Sequence, residues 1–431
     1  MSRLALSLAV LFVLALPKCA AFGQGGWSEF PNSQGSLPAD AYSTPWPRVA
    51  QTTPAAYPAG GCETCTPGYR DITDCSAGAS QPGYEAPITS PVGCDVDAVG
   101  YSACRPPSVW YFSASGLIMG RDKPGRVWTT YENNNNPNQL MSTDNADPDW
   151  EGGIEAHVGR QFACGAWAVD LGYWTIDDLT ASSSQTHANY VSTPLLFNDL
   201  EFGVADPVQD YFDSAEEHRI ARRNTIQNLE VNLIEGFAGC SSCCPWRCRK
   251  SLGVRYFQFD EDLSLSTLDQ GGTWGGNGGA DEVTLSESIE NNLLGVQLGC
   301  QLERQCGCQA TFFIAPKFGI YNNRIEQRFD LRRGDGVAAM PSAASGVIGT
   351  YPVNSSRDVV SFLTEVNLGY SYQPNCHWSL FGGYRVMAMT GMGLADSQIP
   401  QYIIDIPEIA DIDYQDALVL HGAFFGVAYS R

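Results

Sequence analysis

The sequence predicts an all-β chain: a transmembrane, antiparallel, up-and-down β-barrel of about ten strands behind an irregular, Cys/Pro/Gly-rich segment. Three observations predict it. Apolar residues recur with period two in short runs. Short and long connections alternate without exception between those runs. No stretch after the first residues is long and apolar enough to cross a bilayer as a helix.

The first residues set the compartment. Met1-Ser2-Arg3 is positively charged, Leu4 to Leu16 is an apolar run too short for a spanning helix, and Cys19-Ala20-Ala21 offers small residues for cleavage. Residues 1–21 therefore read as a secretory signal peptide. Lys18 stands where a lipoprotein signal needs a small side chain, which argues against a lipid on Cys19. Fifteen cysteines, less Cys19, leave an even fourteen for an oxidising compartment, so disulfides are expected. Net charge is −22, and −24 once Arg3 and Lys18 leave with the leader. That disfavours nucleic acid and anionic lipid and favours divalent cations or basic ligands.

Residues 22–108 hold no helical or strand period, as "PADAYSTPWPRVAQTTPAAYPAGG" illustrates. They read as an irregular periplasmic segment tied down by Cys62, Cys65, Cys75, Cys94 and Cys104. "CETC" has the spacing of a metal or redox half-site, but local disulfides suit the compartment better.

From 109 to 431 ten strands are expected, at about 109–119, 152–162, 165–176, 227–237, 247–259, 289–302, 309–325, 359–373, 377–390 and 416–430. In "SFLTEVNLGYSY" Phe362, Thr364, Val366, Leu368, Tyr370 and Tyr372 share one face against Ser361, Glu365, Asn367, Gly369 and Ser371. The small or polar face is rich in Gly, Asn and isolated ions, as a barrel interior is. Twelve strands result if 190–203 forms a hairpin. Short links near 163–164, 238–246, 303–308 and 374–376 alternate with long polar loops at about 120–151, 177–226, 260–288, 326–358 and 391–415. Turns on one rim and long loops on the other is the plan of an outer-membrane barrel, and an even strand count puts both chain ends on the periplasmic side.

The cysteines agree with that plan. Cys164, Cys240, Cys243, Cys244, Cys248, Cys300, Cys306, Cys308 and Cys376 all fall in or beside the short turns, and none in a long loop. Turns that converge on one rim allow disulfides among themselves or to the tail, with connectivity unreadable. A metal cluster there is the lesser reading.

Strands of this length match tilted bilayer crossings, and a sheet survives in hydrocarbon only if it closes. Trp110, Trp167, Tyr173, Tyr256, Tyr370, Tyr372, Trp378 and Tyr429 sit toward strand ends on the apolar face, where headgroup girdles belong. A soluble β-sandwich would not sort its loops by end.

"VWYFSASGLIMGRD", "NLLGVQLG" with its acidic lead-in, and the closing "LVLHGAFFGVAYSR" resemble the β-barrel porin family seven described from planctomycete genomes, over about Val109 to Arg431. The resemblance implies an outer-membrane porin and brings no catalytic residues with it. Its expected partners are outer-membrane lipid and the barrel assembly machinery, although Tyr429 is followed by Ser430 and Arg431 where many such barrels end in an aromatic.

With the apolar face outward, Glu155, His157, Asp170, Glu230, Arg255, Lys317, Glu365 and Arg385 face the lumen. They are either a mutually paired ladder filling a narrow interior or a screened path for small polar solutes. Open porins use sixteen or more strands, so a filled or gated barrel, an anchor or an adhesin with acidic loops competes with a pore. A loop-borne hydrolase would draw on His187, His218, Asp178, Asp213 and Glu217, but Gly-x-Ser-x-Gly, His-Glu-x-x-His and phosphate-loop motifs are absent, and no cofactor is implied. "STDNADPDW" lacks the ordered spacing of a calcium site. Two residues strain this plan. His421 falls on the lipid face, and Pro316 cannot donate to a ladder, so a bulge or unpaired site is expected there.

Overall fold

Period-two runs become strands throughout the computed structural model, which describes residues 110–162, 166–235, 246–306, 309–375 and 377–430. Residues 1–109, which include the expected signal peptide and irregular segment, and all cysteines except Cys248, Cys300 and Cys306 lie outside the described residues. The strands are β1 (Trp110–Arg121), β2 (Trp128–Glu132), β3 (Asn135–Ser142), β4 (Glu151–Phe162), β5 (Trp167–Ser192), β6 (Leu200–Glu201) and β7 (Ala215–Glu235). They continue as β8 (Trp246–Leu268), β9 (Glu282–Gln305), β10 (Ala310–Arg333), β11 (Met340–Pro341), β12 (Val353–Tyr372), β13 (Trp378–Met392) and β14 (Asp416–Ser430).

Ten of them form a closed barrel. Sequence neighbours pair antiparallel around the wall, in the order β5-β4-β1-β14-β13-β12-β10-β9-β8-β7. Closure is complete, because β5 pairs with β7 from Trp167↔Glu235 upward and β1 pairs with β14 from Tyr111↔Ser430 to Arg121↔Leu420. No edge strand is left in the wall, which satisfies the requirement that hydrocarbon imposes on a sheet. The strand ends that flank the predicted short links all lie at one end, with Trp110 and Ser430. The long connections lie at the other. The twelve-strand alternative fails: 190–203 makes no wall hairpin, because Tyr190–Ser192 end β5 and Leu200–Glu201 pairs with β11 outside the wall.

The expected strands are too short on one side of the molecule. β1 and β4 have 12 residues and β13 and β14 have 15, but β5 has 26, β7 has 21, β8 has 23, β9 and β10 have 24 and β12 has 20. A bilayer crossing takes about 9–11 residues. The extra length rises at the loop end, where the sequence reading expected loops at 177–226, 260–288 and 326–358.

The reason those extensions escaped notice is chemical. Along β9, Leu294, Val296 and Leu298 point outward and are exposed, whereas the outward residues beyond them are Asn292, Glu290, Ser288, Ser286 and Thr284. The inward residues change the opposite way, from Gln301 and Gln297 to Ile289, Leu285 and Val283. β8 switches at Tyr256/Gln258, β7 at Gln227/Leu229 and β10 at Ile320/Asn322. Below that level the wall is apolar outside and polar inside. Above it the wall is polar outside and apolar inside, as a water-soluble sheet is. The switch is the membrane boundary, read from which face the hydrophobic effect requires to be hidden.

Above the boundary the long connections fold into the tall wall. Leu195, Phe197, Leu200, Val208, Phe212, Ala339, Tyr351, Ile403, Ile409 and Ile412 pack with Ile220, Leu263, Leu285, Ile325 and Phe329 of the wall in one buried cluster. Phe197 and Phe212 stack with ring centroids 4.1 Å apart. These loops are a folded head.

Candidate functional site: the barrel interior

Side chains fill the lumen in layers. The glycines of the inner face show how. Tyr111 lies opposite Gly159, and a Cβ at Gly159 would sit 2.0 Å from the Tyr111 ring. Phe424 lies over Gly383 and Phe313 over Gly369 in the same manner. Each pair lets a ring lie flat against the neighbouring strand, which removes space that a channel would need.

All eight predicted lumen residues do point inward, and their exposures run from 0% to 5%. They form one continuous chain across the barrel. His157 Nδ1 is 2.8 Å from Asp170 Oδ2 and its Nε2 is 3.3 Å from Glu155 Oε1. Arg385 donates to Glu155 at 2.7 Å and to Asn367 at 3.2 Å, and Asn367 donates to Glu365 at 2.6 Å. Arg255 bridges Glu365 at 2.7 Å and Glu230 at 2.6 Å. Lys317 donates to Glu230 at 2.9 Å, as does Gln297. Four carboxylates face three permanent cations, and His157 completes the balance when it carries its second proton. Burial of this many charges is tolerable only with such pairing.

Above this network is an apolar layer that includes Leu117, Met119, Trp174, Ile226, Phe257, Phe259, Leu293, Leu363, Met387 and Leu420. Above that layer is a second ionic cluster that the sequence reading missed. Glu261 accepts from Arg121 at 2.6 Å and from Arg222, and the Ala395 amide donates to its other oxygen at 2.9 Å. Arg222 also donates to Asp396 at 2.5 Å and to the carbonyls of Ala146 and Thr143. One guanidinium therefore ties the wall to both the 122–150 and the 393–415 connections. Burial alone would raise the Glu261 carboxyl, but Arg121, Arg222 and the Ala395 amide hold it down at about 2. Burial raises Asp396 against the pull of Arg222. Glu287, two positions on along β9 from Ile289, is also buried, and desolvation pushes its carboxyl well above the usual range. Arg222, Glu261 and Glu287 were missed because they fall in stretches assigned to loops; a period-two scan that allowed the apolar face to change sides would have found them.

The hydrolase candidates do not converge. His218 is buried on β7 with Thr130 Oγ1 at 2.9 Å, and burial lowers its imidazole to about 4. His187 is on β5, 3.7 Å from Glu132. Asp178 binds Arg223 and Thr225, Glu217 binds Arg219 and Trp274, and Asp213 accepts from Gln209. Each is committed to its own neighbour, so no nucleophile stands beside a base among them. Asp144, in the acidic 142–150 stretch, is held by Arg126 at 2.7 Å and Lys123 at 3.3 Å. Among the described residues no group of three His, Cys, Asp or Glu could hold a metal ion.

Both strained positions resolve locally. His421 faces outward, where Tyr384 Oη lies 2.6 Å from its Nδ1 and the Trp150 ring packs edge-on against it. Pro316 pairs with Val366 on β12, but the ladder to β9 runs from Ile314↔Leu302 to Lys317↔Gly299, skipping Ala315 and Pro316 without a shift of register. It is the unpaired site expected of a ring nitrogen with no hydrogen to donate.

Residues 149–430 match the family described as "Putative beta barrel porin-7 (BBP7)". The chain belongs to this family. The match begins just before β4, so β1, whose "VWYFSASGLIMGRD" contributed to the resemblance, lies outside it. No curated protein matches the chain. Among solved structures it is similar to the outer membrane protease OmpT from Escherichia coli, at 10% identity over 76% of this chain and 97% of that one, with a TM-score of 0.36. It is similar to a major outer membrane protein from Thermus thermophilus, at 11% identity over 75% and 99%, TM-score 0.27. The Pseudomonas putida toluene transporter TodX follows at 9% identity over 76% and 89%, TM-score 0.28. At these scores the likeness reaches no side chain of the interior.

Proposed function

We propose that this family member is an outer-membrane barrel with a filled interior, a structural element of the envelope that anchors and displays its folded head, and not an open diffusion pore. The observation that carries this reading is the ionic chain from Asp170 to Lys317, buried and internally paired across the lumen. A water-filled path would leave such side chains solvated. The apolar layer and the Arg222 cluster above it support the same reading. The short-turn and long-loop ends, with the leader, support turns and both termini in the periplasm and the head outside. The head with its acidic loops is then the surface offered to partners.

Planar-bilayer recording of the refolded, heat-modifiable protein tests this. Silence is the expected result, and unitary conductance steps from the folded form would restore the pore. The porin-like alternative, passage of small polar solutes through a gated lumen, draws support from the polar chain itself, which runs across the lumen from Asp170 to Lys317.

A further inference from the structure

Cys248 of β8 and Cys300 of β9 lie on the outward face near the turn end. The register pairs Cys248 with Leu302 and Lys250 with Cys300, so the two cysteines are diagonal cross-strand neighbours. Their sulfurs are 2.8 Å apart. A disulfide needs about 2.05 Å, so they stand within about 1 Å of bonding, with the side chains already turned toward each other.

The same stretch of β9 borders a break in the pairing of the wall. In the unbroken register Cys300 would face Pro316, and that is where pairing to β10 is skipped. In hydrocarbon no water replaces the lost bonds. β9 is therefore loosened from one neighbour at the residue that touches a thiol on the other.

We propose that Cys248 and Cys300 form a cross-strand disulfide that staples β9 to β8 beside the Pro316 gap. One S–S bond forms as both thiols lose their protons. The two electrons pass to a disulfide-carrying protein oxidant of the export compartment, whose own S–S bond breaks and leaves as a dithiol. The proposal rests on the exported, outer-membrane reading, and the experiment separates the two.

Full-length protein is isolated from fractionated envelopes after thiol blocking with a maleimide, digested without reduction and mapped by mass spectrometry. The expected result is a linked peptide pair carrying Cys248 and Cys300 that disappears on reduction. In Cys248→Ser, one additional maleimide-reactive thiol appears, at Cys300, while the heat-modifiable folded band persists. Alkylated Cys248 and Cys300 in folded protein, or either cysteine linked elsewhere, would overturn the staple. A linked pair in protein found outside the outer-membrane fraction would keep the staple and sink the location. Blocked thiols in protein outside that fraction would sink both.

Discussion

Arg222 is the residue on which the loop-side closure depends. It reaches Glu261 on the wall, Asp396 on one connection and two carbonyls on another, with its side chain fully buried. Removing one partner of a buried ion pair costs about 3–5 kcal/mol because the remaining charge loses its compensation. Arg222→Met is expected to lower stability by that order and to expose 122–150 and 393–415 to protease; an unchanged digestion pattern would mean the clamp holds nothing. His218 makes the head sensitive to acid. Its folded value of about 4 lies below its ordinary 6.5, so between those limits the unfolded chain binds a proton that the folded chain refuses. Stability is intact above about 6.5 and falls as pH drops toward 4, by about 3 kcal/mol for this group. His218→Gln should remove that part of the slope in pH-dependent unfolding, leaving the carboxylate contributions in place. Glu287 acts in the opposite sense: burial raises its carboxyl, so stability is lost as pH climbs above the ordinary range, and Glu287→Gln should be the more stable form at pH 8 but not at pH 4.

Strands carry a second lesson. Period two identified where β1, β4, β13 and β14 run, since alternation persists whichever solvent each face meets. The upper parts of β5, β7, β8, β9, β10 and β12 fall in the expected loops because the outward residues there are polar, so no single apolar face continues through them. Register decides what the inner glycines do. Gly159→Val forces a branched side chain into the Tyr111 ring and is expected to cost about 1–3 kcal/mol or more, with loss of the folded band. Gly116 points outward on β1, and a Cβ there would meet nothing within 4 Å, so Gly116→Val should leave the band unchanged. Equal effects at the two sites would contradict the assignment of faces.

Across the whole molecule paired ions cross the lumen twice, in the Glu155–Lys317 network within the membrane level and in the Arg222 cluster above it. An Arg222→Met barrel should therefore stay silent in planar bilayers even with its head loosened. Conductance appearing in that variant alone would make the upper cluster a gate, and the solute-passage reading would then replace the structural one.

Alternation and connection lengths were enough to establish an antiparallel barrel, because period two and turn chemistry are local properties that survive any packing. The eight lumen ions were also legible, since parity assigns a side chain to a face. Which ion meets which was not, nor that loops 193–214 and 393–415 become the core of a head. Those facts depend on closure: only when β5 meets β7 and β14 meets β1 do residues far apart in sequence, such as Arg222 and Asp396, come within bonding distance.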